Sequence, residues 1–368
     1  MSPKPNHIAI IGAGLAGCSL ALELEKRGWA PLLVHDNKRL SSSDVAAGLI
    51  NPIVPKGVRM TWNWEKMFPG WMDYYQHWEA YLGSSFAQSL PLHQLHRHLD
   101  HEQEWNKQAS KGVYQEFIRP LIDDLPASST AQSGHSIMQS GRLNVQAFCQ
   151  ATRQHFKDKE CLIESRFEAD PLNESLVLAN GQEVQNLVFC QGIEMMDDPL
   201  WNWLPMHPTG GDILRVQLPN GILANRAIWK SQEWLVPIQN SPNEWLMGSN
   251  FHKGNRSQSP EAQDAEYLLN RVSEWLGIRP VLLEHKRAVR PTVGSRRPYL
   301  GRHPKHEHLF VFNGLGSKGS ALVTWLAPVM ADFICKGTEL PEDVNITRYW
   351  SHENGSGQDD SASIDLGK

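Results

Sequence analysis

Three glycines near the start of the chain, Gly12, Gly14 and Gly17, follow an apolar run at 8–11 and open an amphipathic segment. A second apolar run ends at Asp36, 24 residues after Gly12. This spacing is typical of a strand, a glycine turn, a helix and a second strand, in which the helix N-terminus directs N–H groups and a positive dipole end at a pyrophosphate. The acid accepts ribose hydroxyls. We therefore predict a dinucleotide site; these residues leave NAD and FAD open, whereas the acid disfavours NADP.

Each glycine has a separate task in such a turn. Gly12 permits the tight bend, Gly14 lets the backbone approach the pyrophosphate, and Gly17 lets the helix pack closely on the strand. Leu15 and Ala16 complete the turn, and we assign them to the same predicted site.

Two more segments have residue types that suit a cofactor pocket. Small residues cluster within 42–52, where the backbone can pass close to a flat group. An apolar run at 309–313 leads into a second glycine-rich segment, 314–319, and then into an apolar helix. This second unit predicts that the C-terminal strand returns to the N-terminal sheet and places its loop beside the cofactor.

The composition indicates a globular protein of two domains, or of one large domain with insertions. The chain has 368 residues, of which 40 % are hydrophobic and 20 % charged, and no apolar run approaches the ~20 residues that cross a bilayer. The simplest predicted location is the cytoplasm. The segment 351–368 is acidic and poor in apolar residues, which predicts disorder. It carries much of the net charge of −5, so the remaining body is near neutral and does not favour nucleic-acid binding.

Cysteines and histidines do not form a recognisable metal site. The five cysteines include no C-x-x-C pair, so we predict neither a disulfide framework nor a zinc site. Four histidines lie close together, and their spacing matches no familiar ligand motif. We interpret them as a solvated polar surface; they are His93, His96, His98 and His101.

A cluster of tryptophans leaves two interpretations open. An aromatic packing face is favoured over a cage around a substrate. The cluster consists of Trp62, Trp64, Trp71 and Trp78.

Sequence periodicity predicts an α/β fold, α+β overall, with a Rossmann-like dinucleotide-binding domain that is discontinuous in sequence and an antiparallel, β-rich substrate domain. The predicted helices are 65–82, 144–156, 260–277 and 321–334, and the predicted strands are 161–163, 175–178, 184–189, 213–217, 227–229, 234–237, 245–248 and 309–313. We assign 1–62, 141–207 and 286–350 to the dinucleotide-binding domain, 63–140 and 208–285 to the substrate or cap domain, and 351–368 to a disordered tail.

Four signatures together resemble the D-amino-acid oxidase superfamily of FAD-dependent amine oxidoreductases. They are GAGLAG at 12–17, AAGLINP at 46–52, WLVP with MGSN within 234–250, and RPTVGSRRPYLGRHP with NGLGSKG within 290–319. Within the superfamily, the chain is most similar to glycine oxidases and to the flavin domain of a bifunctional enzyme that modifies wobble uridine in tRNA.

The resemblance implies FAD as the cofactor, held without a covalent bond because no cysteine lies between Cys190 and Cys335. Asp36 stands where the family more often has Glu. The implied cofactor-binding residues are Gly12, Gly14, Leu15, Ala16, Gly17, Asp36, Ala46, Ala47, Gly48, Leu49, Gly192, Gly314, Leu315, Gly316, Ser317, Lys318 and Gly319. The loop ending in Lys318 would lie near the pyrimidine end of the flavin, where the reduced form gathers negative charge, although Lys318 could instead be a solvated loop lysine.

For the reaction, the resemblance implies oxidation of a C–N bond by hydride transfer to flavin N5, giving an imine that hydrolyses. Arg290 would bind the substrate carboxylate through its planar guanidinium, unless it forms an internal salt bridge or lies at the surface. Trp234 and Phe251 resemble residues that face the substrate, and both are bulky. The electron acceptor is oxygen or a quinone, and the substrate a small amine or amino acid. The alternatives are oxidation of a wobble-uridine side chain in tRNA and a non-catalytic dinucleotide-binding protein; the oligomeric state is not readable.

Overall fold

The computed structural model describes residues 7–121, 125–168, 171–172, 176–178, 181–223 and 227–350, so the predicted disordered tail lies outside the described residues. The strands are β1 His7–Ile11, β2 Ala30–Val34, β3 Leu49–Ile50, β4 Ile53–Val54, β5 Arg59–Met60, β6 Ala87–Ser89, β7 Leu92–His96, β8 Ile118–Pro120, β9 Ser133–Ile137, β10 Gly141–Leu143, β11 Leu162–Ile163, β12 Leu176–Val177, β13 Glu183–Val184, β14 Asn186–Phe189, β15 Thr209–Gln217, β16 Ile228–Lys230, β17 Trp234–Ile238, β18 Ser241–Gly248, β19 His252–Lys253, β20 Val281–Arg290, β21 Tyr299–His303 and β22 His306–Asn313. The α-helices are α1 Leu15–Lys26, α2 Ser42–Val45, α3 Trp64–Met67, α4 Trp71–Leu82, α5 Leu99–Ala109, α6 Val145–Asp158, α7 Ala262–Leu276 and α8 Gly319–Lys336. Short 3₁₀ helices lie at Gly112–Glu116, Gly192–Asp197, Gly316–Lys318 and Ile346–Tyr349.

The first sheet has the strand order β11-β2-β1-β14-β22-β21. Its strands run parallel except β21, which is antiparallel to β22. Residues of β1 alternate between the two faces: Ile8 and Ile10 contribute to one buried core with α1 and α8, and Ala9 and Ile11 to another. Burial on both faces is the usual condition of a parallel sheet. Since β1, β14 and β22 are far apart in sequence, the structure confirms the predicted discontinuous Rossmann-like fold.

The second sheet is mostly antiparallel and forms the wall opposite the first. Its order includes β20-β15-β18-β17-β16, continuing through β7, β9 and β8. Helix α7 packs on one face of this sheet, where Leu268 and Trp275 join Leu214 and Trp229 in a third core. The opposite face turns towards the first sheet. The boundaries of the two domains stay a prediction.

Several sequence expectations differ from the structure in instructive ways. The predicted helix over 65–82 is two helices, α3 and α4, separated at 68–70. Pro69 has no N–H to donate, which disfavours one continuous helix across this point. Strand β20 and helix α5 were not expected. None of the helices in the described residues combines the length and the apolar character needed to cross a membrane.

The interpretation of the histidines as a solvated surface is wrong for His93 and His96. Both lie on β7, which is covered on both edges by β16 and β9, and they are 5 % and 1 % exposed. His96 Nε2 shares a hydrogen bond of 2.8 Å with His135 Nδ1. Burial, with the neighbouring histidines, lowers the pKa of His96 to about 4, so its ring is neutral near pH 7.

The tryptophan cluster packs against the first core, as the predicted aromatic packing face requires. Trp71 and Trp78 are buried, and Trp62 and Trp64 are half-buried. None of the four lines the large cavity described below.

Candidate functional site

One cavity of about 1020 Å³ runs between the two sheets. It lies at the carboxyl ends of β1, β2, β14 and β22, where ligands bind in open parallel sheets. Its volume is at the upper end of the ~300–1,000 Å³ usual for ligand pockets, which suits a large cofactor together with a substrate. Most predicted site residues line it, namely Gly12, Gly14, Leu15, Ala16, Asp36, Ala46, Ala47, Gly48, Leu49, Gly192, Trp234, Phe251, Arg290, Leu315, Gly316, Ser317, Lys318 and Gly319.

The glycine turn forms one end of the cavity. Gly12 has φ +105°, and a Cβ on it would lie 2.5 Å from the Cys190 carbonyl oxygen. Gly17 does not line the cavity; its Cβ would lie 1.9 Å from the Gly12 oxygen, so it allows α1 to approach the turn. Gly14 is the N-cap of α1 and has no side chain of its own to cap this helix terminus. The turn therefore leaves a helix N-terminus facing the cavity, as an anion site requires.

Ser43, from the small-residue segment 42–52 but not among the predicted site residues, reaches this turn. Its hydroxyl oxygen accepts the Leu15 N–H at 2.9 Å. Close by, Asp36 accepts the Lys38 N–H at 3.1 Å and pairs with Arg39 at 3.4 Å. The side chain of Arg39 also pairs with Glu194. Asp36, Glu194 and Arg39 therefore lie around the end of the cavity next to the carboxyl end of β2.

The 46–49 segment is held by a buried arginine that the sequence analysis missed. Gly48 has φ +74°, and a Cβ there would lie 1.7 Å from the Leu143 oxygen. Arg142 on β10 donates from Nε to the Ala47 oxygen (3.3 Å) and from Nη1 to the Pro237 oxygen (2.9 Å). Burial lowers the pKa of Arg142 to about 10. Arg142 thus links the small-residue segment to β17 of the opposite wall.

The second glycine loop brings Lys318 into the cavity. Its Nζ donates to Thr61 Oγ1 at 2.6 Å and to the Asn51 oxygen at 3.2 Å. Among the described residues no carboxylate pairs with it, and burial lowers its pKa to about 8. Gly314 does not line the cavity; with φ +75° and a would-be Cβ 2.9 Å from Val293 Cγ1, it shapes the loop instead. Lys318 is therefore a half-buried, partly desolvated cation, unlike a solvated loop lysine.

Arg290 lies at the end of β20 and faces the cavity. Its Nη1 donates to the Gly210 oxygen at 3.4 Å, and its guanidinium carbon lies 4.8 Å from the centre of the Phe251 ring. A Cβ at Gly211 would lie 2.1 Å from Nη1, so the guanidinium occupies the space above that glycine. Burial lowers the pKa of Arg290, while Asp212 opposes the shift. Within the described part of the chain, no carboxylate lies within ion-pairing distance of it.

The internal salt bridge that was considered for Arg290 is formed by Arg287 instead. An odd separation on a strand places these two arginines on opposite faces. Arg287 is 1 % exposed and pairs with Asp212 (3.6 Å), Asp264 (3.3 Å) and Glu261 (3.3 Å). Arg290 is thus the arginine of this strand whose charge remains available to a ligand.

Two aromatic residues complete the wall beside Arg290. Trp234 on β17 is half-buried, and a Cβ on Gly248 would lie 2.8 Å from its ring. Phe251 is 63 % exposed at the cavity rim. Lys230, on β16, lines the same wall and was not predicted. Cations and aromatic groups therefore line the wall formed by the second sheet, whereas the acids lie beyond β2 and β14.

Comparisons with known proteins agree with this geometry. The family model DAO, described as FAD dependent oxidoreductase, matches residues 7–333. A glycine oxidase from Bacillus licheniformis is 27 % identical over 130 residues, which cover 35 % of this chain and 34 % of that protein. The tRNA 5-methylaminomethyl-2-thiouridine biosynthesis bifunctional protein MnmC from Shewanella amazonensis is 22 % identical over 411 residues, covering 94 % of this chain and 60 % of that protein. The chain thus aligns with less than two thirds of either relative's length.

Among solved structures, glycine oxidase from Bacillus cereus ATCC 14579 superimposes with a TM-score of 0.76 at 16 % identity. The match covers 91 % of this chain and 96 % of that one. At this level of identity the similarity establishes the fold, and function has to be derived from the site.

Proposed function

The chain belongs to the DAO family of FAD-dependent oxidoreductases, and from that premise we propose that it oxidises the C–N bond of an amino acid or of another carboxylate-bearing amine. The observation that carries this proposal is Arg290: a half-buried arginine whose guanidinium faces the cavity, while the acids near its strand are taken up by Arg287. A buried charge without a counter-ion is costly unless a ligand supplies one. A substrate carboxylate is the anion that a planar guanidinium binds best.

The residues at the other end of the cavity fit FAD. The N-terminus of α1, where Gly14 has no side chain, and the turn at Gly12 suit a pyrophosphate, and we assign Asp36 to the ribose hydroxyls. The buried Oε1 of Gln191 lines the cavity and has no hydrogen-bond partner among the described residues, so it can accept a donor from the cofactor. We assign the segments 46–49 and 315–318 to the flavin end. The absence of a covalent link to the flavin stays a prediction.

Each residue around the substrate has a distinct proposed task. Bound FAD would accept two electrons together with the hydrogen of the substrate C–H bond. Arg290 holds the carboxylate and so orients the C–H bond beside the amine. Phe251 and Trp234 limit the entry of water, which strengthens the ion pair of Arg290 with the substrate. Lys318 adds positive charge at the end of the second glycine loop. The oxidised substrate leaves as an imine and hydrolyses in water.

An anaerobic screen of the FAD-loaded protein tests this proposal. Amino acids and N-substituted glycines are compared with the amines that lack the carboxylate, and loss of the oxidised-flavin absorbance is recorded. We expect bleaching with an acid and at least 100-fold weaker bleaching with its matched decarboxylated amine. Equal bleaching by the two members of each pair, or none by any acid, contradicts the proposal. Admission of air then distinguishes an oxidase from an enzyme that needs a quinone.

A second candidate is oxidation of the side chain of a modified wobble uridine in tRNA. The alignment with the bifunctional tRNA-modifying protein extends over 94 % of this chain, which favours it. Against it, the net charge of −5 lacks the basic excess expected of an RNA-binding surface. Release of the side chain from purified modified tRNA, at a rate above that for free N-substituted glycines, supports this candidate.

A further inference from the structure

We propose that the cavity contains a second anion subsite built on Lys230, and that the substrate is an amine with two acid groups, one bound by Arg290 and the other by Lys230. The inference rests on the proposed function, in which Arg290 binds the first acid group. It adds that the substrate carries a second acid group.

The strand that carries Lys230 directs it to the cavity. On β16, Trp229 packs into the core beneath α7, whereas Ile228 belongs to the core on the other side. Because side chains alternate along a strand, Lys230 lies on the same face as Ile228. Lys230 lines the cavity together with Trp234 on the adjacent strand. The side chain is therefore part of the cavity wall.

Lys230 has no ion-pair partner among the described residues. Its Nζ donates to the Gln232 carbonyl oxygen, and no carboxylate lies within ion-pairing distance of it in the described ranges. The acid nearest in sequence, Glu233, is taken up by Arg271 at 3.1 Å. Burial lowers the pKa of Lys230 to about 8, with Glu233 opposing the shift. An ammonium in these surroundings has N–H donors that no protein group in the described residues accepts, and an anionic ligand forms the strongest hydrogen bonds with them.

The strand register places the two cations at opposite ends of an apolar floor. Lys230 pairs with Trp234, Trp234 with Gly248, and Gly248 with Ile213, in one row across four strands. The guanidinium of Arg290 lies above Gly211, two residues further along β15. Three inter-strand spacings amount to ~14 Å between the Cα atoms of Lys230 and Ile213. Since both side chains line the same cavity, one ligand can meet both cations.

This layout defines the substrate class. One acid group lies beside the reacting amine at Arg290, and the second is on the order of 10 Å away, as judged from the strand spacing. The arm between them crosses Trp234 and Ile213, so it is apolar and extended. An RNA phosphate is the less suitable anion, because the chain is acidic overall and offers no basic track for a polynucleotide.

The test uses a pair of substrates that differ only at the far end of the arm. N-substituted glycines with arms of increasing length carry either a terminal carboxylate or the isosteric carboxamide. Anaerobic flavin reduction by the FAD-loaded enzyme gives the reduction rate and the apparent Kd for each. We expect wild type to bind the best acid at least 10-fold more tightly than its amide, with similar limiting rates.

Variants at position 230 show whether Lys230 is responsible. We expect Lys230→Met to weaken binding of the acid at least 10-fold and to leave the apparent Kd of the amide unchanged, so that the preference for the acid is lost. We expect Lys230→Arg to retain the preference. Lys286→Met is the control, because Lys286 lies on the same sheet, pairs with Glu284 at 2.9 Å and does not line the cavity; it should behave as wild type.

The outcomes separate this inference from the proposed function. If amide-ended glycines reduce the flavin but the acids bind no better at any arm length, the second subsite is refuted and the proposed function stands. If Lys230→Met weakens acid and amide equally, Lys230 acts on packing alone and the inference is wrong. If Lys230→Met changes the oxidation of a modified RNA substrate but of no small acid, the proposal of a small diacid substrate is wrong. If no N-substituted glycine or amino acid of either kind reduces the flavin, the proposed function itself fails.

Discussion

The second sheet pairs its buried positive charge beneath α7 with acids, but leaves the cations that line the cavity without a carboxylate partner in the described residues. On the face beneath α7, Arg287 is surrounded by Asp212, Asp264 and Glu261. On the cavity face, Arg290 and Lys230 have no carboxylate partner in the described residues, although Arg290 lies only three positions after Arg287. A charge that is paired within the protein serves the fold, whereas one left unpaired beside a cavity is a candidate for binding an anion. The difference between the faces thus distinguishes structural from functional cations without reference to any relative.

The structural face is an extended network. Asp212 is fully buried and accepts a hydrogen bond from His285 at 2.8 Å. Asp264 lies 2.9 Å from His252 Nε2, and Asn250 donates to Asp264 at 2.9 Å. Asp212, His252 and Asp264 are close enough together to hold a cation, but Arg287 already provides positive charge between the two acids. The network joins β15, β20 and α7 beneath the cavity wall.

The largest expected effect is that of removing the cavity-facing guanidinium. Arg290→Met should lower kcat/KM for a carboxylate substrate about 1,000-fold, because charge-assisted contacts of this kind contribute ~2–5 kcal/mol. The thermal midpoint of the FAD-loaded protein should not fall, since the variant also removes a half-buried charge that lacks a counter-ion. Steady-state kinetics and thermal unfolding measure the two quantities. Wild-type kcat/KM, or a large loss of stability with activity intact, places Arg290 among the structural cations.

The converse experiment removes the paired arginine. Arg287→Met leaves Asp212 and Asp264 buried without their partner, which should cost ~3–5 kcal/mol, or on the order of 10 °C in the thermal midpoint. Arg215→Met is the matched control on β15, because its pair with Glu244 is exposed and should contribute less than ~1 kcal/mol. If Arg287→Met is as stable as the control, the two faces do not differ as we infer.

Two adjacent glycines offer a finer test, because they face opposite sides of β15. A Cβ at Gly211 would lie 2.1 Å from Arg290 Nη1, whereas a Cβ at Gly210 would lie 3.4 Å from the nearest atom, on the other face. Gly211→Ala should therefore displace the guanidinium and raise KM for a carboxylate substrate about 10-fold (~1.4 kcal/mol), with little change for the matched decarboxylated amine. Gly210→Ala should leave both unchanged. An equal effect of the two alanines on both substrates means that the glycines serve only the backbone.

The sequence was informative where the chemistry is local. The spacing of Gly12, Gly14 and Gly17 before Asp36 encodes a turn within a single strand–helix–strand unit, and the structure has that unit. The final glycine loop was predicted in the same way. The family resemblance selected FAD, and it directed attention to Arg290.

The rest depends on contacts between residues far apart in sequence. Arg142 holds Ala47 and Pro237, each 95 positions away, and no local pattern indicates either contact. The burial of His96 follows from β7 lying between β9 and β16, a pairing that only the tertiary fold determines. Strand β20 was missed because its first residues are apolar and exposed on both faces, so the usual alternation is absent. Because β20 was not predicted, the odd spacing of Arg287 and Arg290 gave no indication that the two side chains lie on opposite faces of a strand.

The smallest expected effect concerns Lys318, the half-buried cation of the opposite cavity wall. Burial lowers its pKa from 10.5 to about 8, so the unfolded chain binds more protons than the folded one between these pH values. The stability of the FAD-free wild type should therefore gain a contribution as the pH rises from about 8 to 10.5. Lys318→Met lacks this contribution. We expect the thermal midpoint of the variant minus that of wild type to fall by a few degrees between pH 7 and pH 10.

A matched lysine makes the result specific to burial. Lys336→Met on α8 is the control, because Lys336 is 61 % exposed in an ion pair with Asp332; its difference from wild type should not fall in this way over the same range. If the Lys318→Met difference is constant with pH, or rises, then Lys318 is not held as a desolvated ammonium. In that case the cations without a carboxylate partner in the described residues would line only the cavity wall formed by the second sheet. The loop at 314–319, which follows the first sheet, would not contribute one.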